Sequence, residues 1–388
     1  IAAVCRASAR SEDPDWPRFV AQAHAYVLGA VAYAGLHVVR ELAGIEIPAE
    51  PWAKLRPTPP RTQSRRSPGE VGVTYDNSST DGVGSQLQRI YGLYALSRGL
   101  HVKYVHTPLG RIGYQGLMPL LSGQTEPDFA ARYNAAFTLP SDDFDVEASE
   151  HIRIHTLTPR IVERYRQRAS DTGQSVLLST CIPFPYTDNA PTSWLVVRSV
   201  SPYRHHQPSG PLRVCVHLRR GDNSISGRSD HGDRLLSNDF YLRVCWTLAG
   251  ALGRLGAPYV IRMHTEVPPR AYTLYPGDPG LYFQLDRPGS IDPATYALAD
   301  FAALPNLEIV TNVDALQVLD DFATADVLVL SRSSLGYVAG LLNPHGLVVW
   351  APWWHPPLLD WLVADEHGNL DEADVTARLA TLIARRQC

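Results

Sequence analysis

Hydrophobic and polar positions follow two different periods along this chain. The run Val71-Gly72-Val73-Thr74-Tyr75 is apolar and bounded by polar residues, which predicts a short strand. A polar turn holding Gly82-Val83-Gly84 comes next. From Ser85 to Leu100 the residues Leu87, Ile90, Tyr91, Tyr94 and Ala95 recur at helical spacing, and His101 to His106 predicts another strand. Strand, glycine turn, helix, strand is a βαβ unit, so an α/β domain is expected. The second half repeats this grammar. Strands are predicted over 212–218, 258–263, 307–311, 327–330 and 347–350, and helices over 238–255, 315–325, 334–342 and 371–386. No sequence repeat of fixed period is present. Two doubly wound α/β domains facing across a cleft fit this order. The carboxyl ends of the strands would line that cleft, where such sheets hold ligands.

Ahead of the first strand the pattern breaks down. Residues 46–69 alternate prolines with Arg56, Arg61, Arg65 and Arg66, a composition that cannot pack a core and reads as a linker. Upstream, Phe19 to Val39 carries no Asp, Glu, Lys or Arg. Its length suits either a packed soluble helix or a membrane anchor remnant. The chain opens at Ile1 rather than Met, which reads as a start lying further upstream. The expected division is a helical extension and linker over 1–70, an acceptor-side domain over 71–205, a nucleotide-sugar domain over 206–350, and a closing segment over 351–388 that crosses back between them.

Composition adds exclusions. The 388 residues are 45% hydrophobic and 19% charged, with 35 basic against 39 acidic groups and a net charge of −4. That balance argues against a dedicated nucleic-acid binder, and the composition excludes collagen-like and disordered classes. The five cysteines lack zinc or redox spacing, and Cys215 and Cys245 sit in apolar patterns that suit buried thiols. One glycosylation sequon, Asn77-Ser78-Ser79, is present.

Three segments carry chemistry. His217-Leu218-Arg219-Arg220-Gly221-Asp222 follows directly on an apolar strand. Two arginines at a strand's carboxyl end suit an oxyanion, because the guanidinium fork matches phosphate bidentately and keeps its charge. Adjacent strand residues face opposite ways, so the two arginines are expected to divide their tasks. A surface ion pair is the competing reading. Ser331-Arg332-Ser333-Ser334 lies between a strand and a helix, where hydroxyls and free N–H groups hold phosphate, or where a serine simply caps the helix. Asp81-Gly82-Val83-Gly84-Ser85-Gln86 is a glycine turn into a helix without a full dinucleotide fingerprint or P-loop.

Taken in chain order, these segments resemble the HxRRGD superfamily of fucosyltransferases, most closely its α1,2 branch, with relatives among the α1,6 and protein O-fucosyltransferases. The likeness spans most of residues 71–352. It rests on Gly82-Val83-Gly84-Ser85-Gln86, on His217 to Asp222, and on Ser333-Ser334 preceding a helix that ends in Leu342-Asn343. Ser85 replaces the family's Asn, and Gly336-Tyr337 its Ser-Trp. The resemblance implies a GT-B fold and inverting, metal-independent transfer of L-fucose from GDP-fucose to a glycan hydroxyl, without a further cofactor. It assigns catalysis to Arg219, Arg220 and Asp222. Donor binding falls to His217, Arg219, Ser333 and Ser334, supported by Gly82, Gly84 and Gln86. The expected partners are a nucleotide sugar and a glycan acceptor, and the expected compartment is the Golgi lumen, with the cytoplasm as the alternative.

Other readings stay open at this level. Asp143-Phe144-Asp145 has the form of a metal-binding DxD but sits in a polar stretch, and Asp230-His231-Gly232-Asp233 and His205-His206 read as solvated loops. The general base is divided between Asp222 and a group comprising Asp230, Asp233 and Glu266. Trp353-Trp354-His355 offers either sugar stacking or core packing. A transferase using another nucleotide sugar, and a catalytically silent binder of GDP-sugar or glycan, are the functional alternatives.

Overall fold

The computed structural model describes residues 69–78, 81–110, 112, 126–181, 190–221, 235–270, 273–274, 283–284 and 292–387. The extension, the linker and the 19–39 run lie outside these residues, as do Asp222, Asp230, His231 and Asp233. Among the described residues no helix is long and apolar enough to cross a membrane.

Two wholly parallel sheets organise the chain. The first contains β1 (Val71–Tyr75), β2 (Lys103–Val105), β3 (Glu150–Arg153) and β4 (Val176–Thr180), in the order β2-β1-β4-β3. Helices α1 (Val83–Leu100), α2 (Glu126–Phe137), α3 (Pro159–Thr172) and α4 (Ala190–Ser199) complete this half. Thr158 caps α3 by accepting the Ile161 N–H at 3.2 Å, and Pro159 starts it where a missing N–H costs nothing.

The second half contains β5 (Leu212–His217), α5 (Asn238–Arg254), β6 (Tyr259–Thr265), a two-stranded ribbon of β7 (Thr273–Leu274) and β8 (Phe283–Gln284), β9 (Leu307–Thr311), α6 (Ala315–Ala323), β10 (Val327–Val329), α7 (Ser334–Leu342), β11 (Leu347–Trp350), β12 (Leu362–Val363) and α8 (Glu372–Gln387). Its six-stranded sheet runs β12-β11-β10-β5-β6-β9. The chain winds outward from β5 through β6 to β9, then returns to the other side of β5 through β10, β11 and β12. Strand order therefore reverses between β5 and β10, which is the doubly wound pattern with its switch point there. Two parallel α/β units are thus present, the architecture of the expected GT-B fold.

Alternation along the strands divides the core. Val214, Val216, Val327 and Val329 face α5 and α8, whereas Cys215, Leu328 and Val348 face α6, α7 and the first half of the chain. Cys215 and Cys245 are buried free thiols. The predicted apolar stripe on α1 understates its burial. Gln86, Gln88, Leu93 and Ser97 are buried as well, because α1 packs against its own sheet and against α4 and α7. Residues 351–388 serve both halves: β12 extends the second sheet and α8 packs on α5, while Asp360 pairs with Arg198 of α4 at 2.8 Å and Leu358 and Trp361 join the core that includes the first half.

Candidate functional site

The carboxyl ends of β5 and β10 form the crevice at the switch point, and two of the singled-out segments occupy them. Side-chain alternation continues beyond β5. His217 and Arg219 share the parity of Cys215 and look toward α6 and α7, while Leu218 and Arg220 turn toward α5. Arg219 Nη1 donates to Ser333 Oγ at 2.8 Å, which ties the two strand ends together across the switch point. Ser333 Oγ also accepts the Leu335 N–H at 3.3 Å and so caps α7. Ser333 is the cap and the arginine's partner. Ser334, given the phosphate contact by the family resemblance, is the first helical residue and half-buried. Arg332 Nε donates to the Pro352 carbonyl at 2.7 Å and anchors the turn to the loop after β11.

Arg220 lies beneath this surface rather than on it. It is 2% exposed, donates to the Arg219 carbonyl at 2.8 Å and to Asn238 Oδ1 at 2.6 Å, and stands 5.9 Å over the Tyr241 ring. Asn238 in turn donates to the carbonyls of Tyr296 and Ala297 and to Asp300. Among the described residues the guanidinium thus braces the loop through the Asn238 amide. Burial pushes the Arg220 guanidinium below its ordinary value, while the nearby Tyr241 and Tyr296 oppose that shift. Arg220 therefore supports the loop that carries Arg219.

His217 packs 5.1 Å from the Phe322 ring and against Gly336 of α7, with Nδ1 sealed from solvent. Burial, with Arg219 and His264 adding repulsion, lowers its pKa to about 3, so the imidazole is neutral at physiological pH. Gly221 ends the described part of the motif with φ of +67°, where a side chain is strained. A Cβ there would also stand 2.8 Å from Glu266 Oε2. Among the candidate bases Glu266 therefore sits at the mouth of the loop, while Asp222, Asp230 and Asp233 lie outside the described residues.

The glycine turn before α1 meets the other half directly. A Cβ on Gly84 would lie 2.4 Å from Leu335 N, 2.6 Å from its Cα and 2.7 Å from Ser334 C. The N-termini of α1 and α7 therefore abut, and Gln88 Nε2 reaches the Ser334 carbonyl at 3.4 Å. Aligned N–H groups at two helix starts beside an arginine favour an anion. Gln86 does not reach this surface: it is fully buried, accepts from the Tyr75 hydroxyl and donates to the Asp81 carbonyl. Gly82 is the α1 cap, with no side-chain hydrogen bond at that position.

Sequence reasoning missed Asp76 and Arg153. Asp76 follows β1 at the carboxyl edge of the first sheet, pairs with Arg153 Nε at 2.6 Å and accepts the Ser78 N–H at 3.1 Å. Its position one residue beyond an apolar strand was the available signal. Asp143 and Asp145 are exposed, and Asp145 caps the Ala148 N–H. Among the described residues no group of three His, Cys, Asp or Glu side chains is placed to hold a metal. Trp353 packs into the shared core, while Trp354 is 52% exposed.

No protein-family model matches the chain, and no curated protein sequence matches it. Solved structures that resemble it include the E. coli heptosyltransferase WaaC with ADP, at 12% identity and a TM-score of 0.32, covering 82% of this chain and 100% of that one. POFUT1 in complex with GDP is similar at 11% identity and a TM-score of 0.35, covering 73% and 98%. The dodecameric iron-containing heptosyltransferase TibC is similar at 10% identity and a TM-score of 0.30, covering 82% and 76%. Likeness at this level carries no weight for activity or donor, and the fold assignment stands on the chain's own sheet order.

Proposed function

We propose that this protein is a glycosyltransferase of GT-B fold that moves L-fucose from GDP-fucose to a glycan hydroxyl with inversion and without a metal. The observation that supports it is the Arg219–Ser333 link across the switch point, beside the abutting starts of α1 and α7. There the diphosphate meets a planar cation and the N–H groups of two helix starts. As the sugar–oxygen bond breaks, charge grows on the departing phosphate, and fixed donors aimed at that charge lower the barrier. Neutral His217 lines the same side without adding charge. In-line displacement puts the attacking hydroxyl opposite the diphosphate, and its proton passes to a carboxylate: we assign this role to Asp76, at the carboxyl end of β1 and paired with Arg153, with Asp222 and Glu266 as the alternatives.

The test combines calorimetry with turnover. GDP should bind the wild-type protein in excess EDTA, and a panel of GDP-sugars should release GDP slowly only from the true donor. Arg219→Lys keeps the charge and loses the fork, so kcat should fall by roughly 100-fold, as on losing an oxyanion donor. Normal turnover of folded Arg219→Lys would overturn the assignment, and restoration of activity by Mn²⁺ after chelation would overturn metal independence. GDP binding without release from any donor would favour the silent-binder reading.

A further inference from the structure

At the amino-terminal ends of β10 and β11, away from the crevice at the strands' carboxyl ends, lies a cavity of about 460 Å³. It lies between residues 204–208, the ends of α6 and α7, and the last turn of α8. Arg204, Arg385 and Arg386 line it together with His205, His206 and His345, and Asp326 is the sole carboxylate lining it among the described residues. That carboxylate is already committed, accepting the Arg213 N–H at 2.8 Å and pairing with Arg386 at 3.4 Å.

Cations gather naturally at helix C-termini, so the question is whether these are needed there. The terminal carbonyls have other partners. Arg213 donates to the Thr324 carbonyl, Asn343 Nδ2 to those of Phe322 and Ala325, and Ser201 Oγ to that of Leu342 at 2.6 Å. Arg385 and His205 have no partner among the described residues, and the Arg204 guanidinium meets only the Ser201 carbonyl, at 3.2 Å. His206 Nε2 is sealed from solvent without a hydrogen bond. Positive charge therefore exceeds what the fold uses, in a chain whose net charge is negative.

We propose that this cavity is a second ligand site, which takes a tetrahedral oxyanion, a phosphate or sulfate group, either free or as an ester on a larger molecule. Arginine forks supply charge-assisted bonds to such a group, and the volume is that of a small-ligand pocket. The site does not depend on the transferase reading.

The test is calorimetric titration at low ionic strength with inorganic phosphate, inorganic sulfate and a sulfated oligosaccharide. All are run in an Arg219→Gln background, so that the crevice does not compete. Saturable binding should persist there and weaken at least tenfold in the Arg204→Gln/Arg385→Gln double variant. Arg160→Gln, which removes an exposed cation elsewhere, should leave it unchanged. Tighter binding of the oligosaccharide identifies an ester ligand, and equal binding identifies the free ion. Absence of saturable binding, or equal affinity in the double variant, would overturn the proposal. Both substituted arginines are exposed and neither joins two elements of the fold, so unfolding midpoints should match the wild type and a misfolded variant does not confuse the result.

Discussion

Replacing Gly84 with alanine puts one methyl group where the two halves of the chain touch. The new Cβ would meet three backbone atoms of Ser334 and Leu335 at 2.4 to 2.7 Å, about an ångström inside ordinary contact. None of these atoms is the end of a side chain, so α1 or α7 must move. Overpacking of this kind costs about 1–3 kcal/mol, against a helix-propensity gain of at most about 1 kcal/mol. The same displacement stretches the 2.8 Å Arg219–Ser333 bond, which sits one residue before the contact. A hydrogen bond to a charged group contributes about 1.5–3 kcal/mol, so GDP affinity should fall about tenfold or more. Gly253→Ala is the matched control: it lies near the end of α5 with nothing within 4 Å of its Cβ, and should be neutral or slightly stabilising. Urea titration gives the stability change and calorimetry the affinity. Unchanged midpoint and GDP affinity in Gly84→Ala would refute the close approach of the two helix starts.

Arg220→Lys should lose about 1–3 kcal/mol in urea unfolding, because Asn238 Oδ1 and the Arg219 carbonyl lose a buried donor. An unaltered midpoint would contradict the bracing role. His217 has a folded-state pKa near 3 against an ordinary 6.5, so the unfolded chain binds the proton first and stability falls as pH drops below about 6.5. His217→Gln should flatten that slope by up to one proton between pH 4 and 6, read from unfolding midpoints across pH. Asp76→Asn should abolish most transfer to acceptor while leaving GDP affinity unchanged; transfer at the wild-type rate would remove Asp76 from the reaction.

Much of this organisation is visible in residue order. Every strand foreseen from 212 onward forms, and α7 begins and ends where its pattern places it; the central strands β5, β10 and β11 are parallel and buried on both faces, and so read as continuous apolar runs. The opposed directions of Arg219 and Arg220 also follow from strand alternation. Residues 126–199 are illegible for physical reasons. Strand β3, Glu-His-Ile-Arg, is an edge strand with polar alternate positions, and α3 carries six charged residues among 14 with only Val162, Tyr165 and Ala169 buried. Gln86 misleads because a glutamine after a glycine turn looks like a ligand group, whereas its amide closes a hydrogen-bonded turn that only tertiary contact reveals. The surplus of arginine beneath the second sheet has no sequence signal, since its members come from separate segments.

The core described above is continuous from Tyr104 and Phe129 in the first half, through Tyr91 and Tyr337, to Leu328 and Val348 in the second. A chain severed near residue 206 would leave the second half with α6 and α7 presenting Leu319, Val338, Leu341 and their neighbours to water. Heat should therefore melt the two halves in one cooperative step, and two resolved transitions would contradict the shared core. Any breathing of the crevice has to come from its loops and side chains, because a swing of one sheet away from the other would tear the oil that holds both.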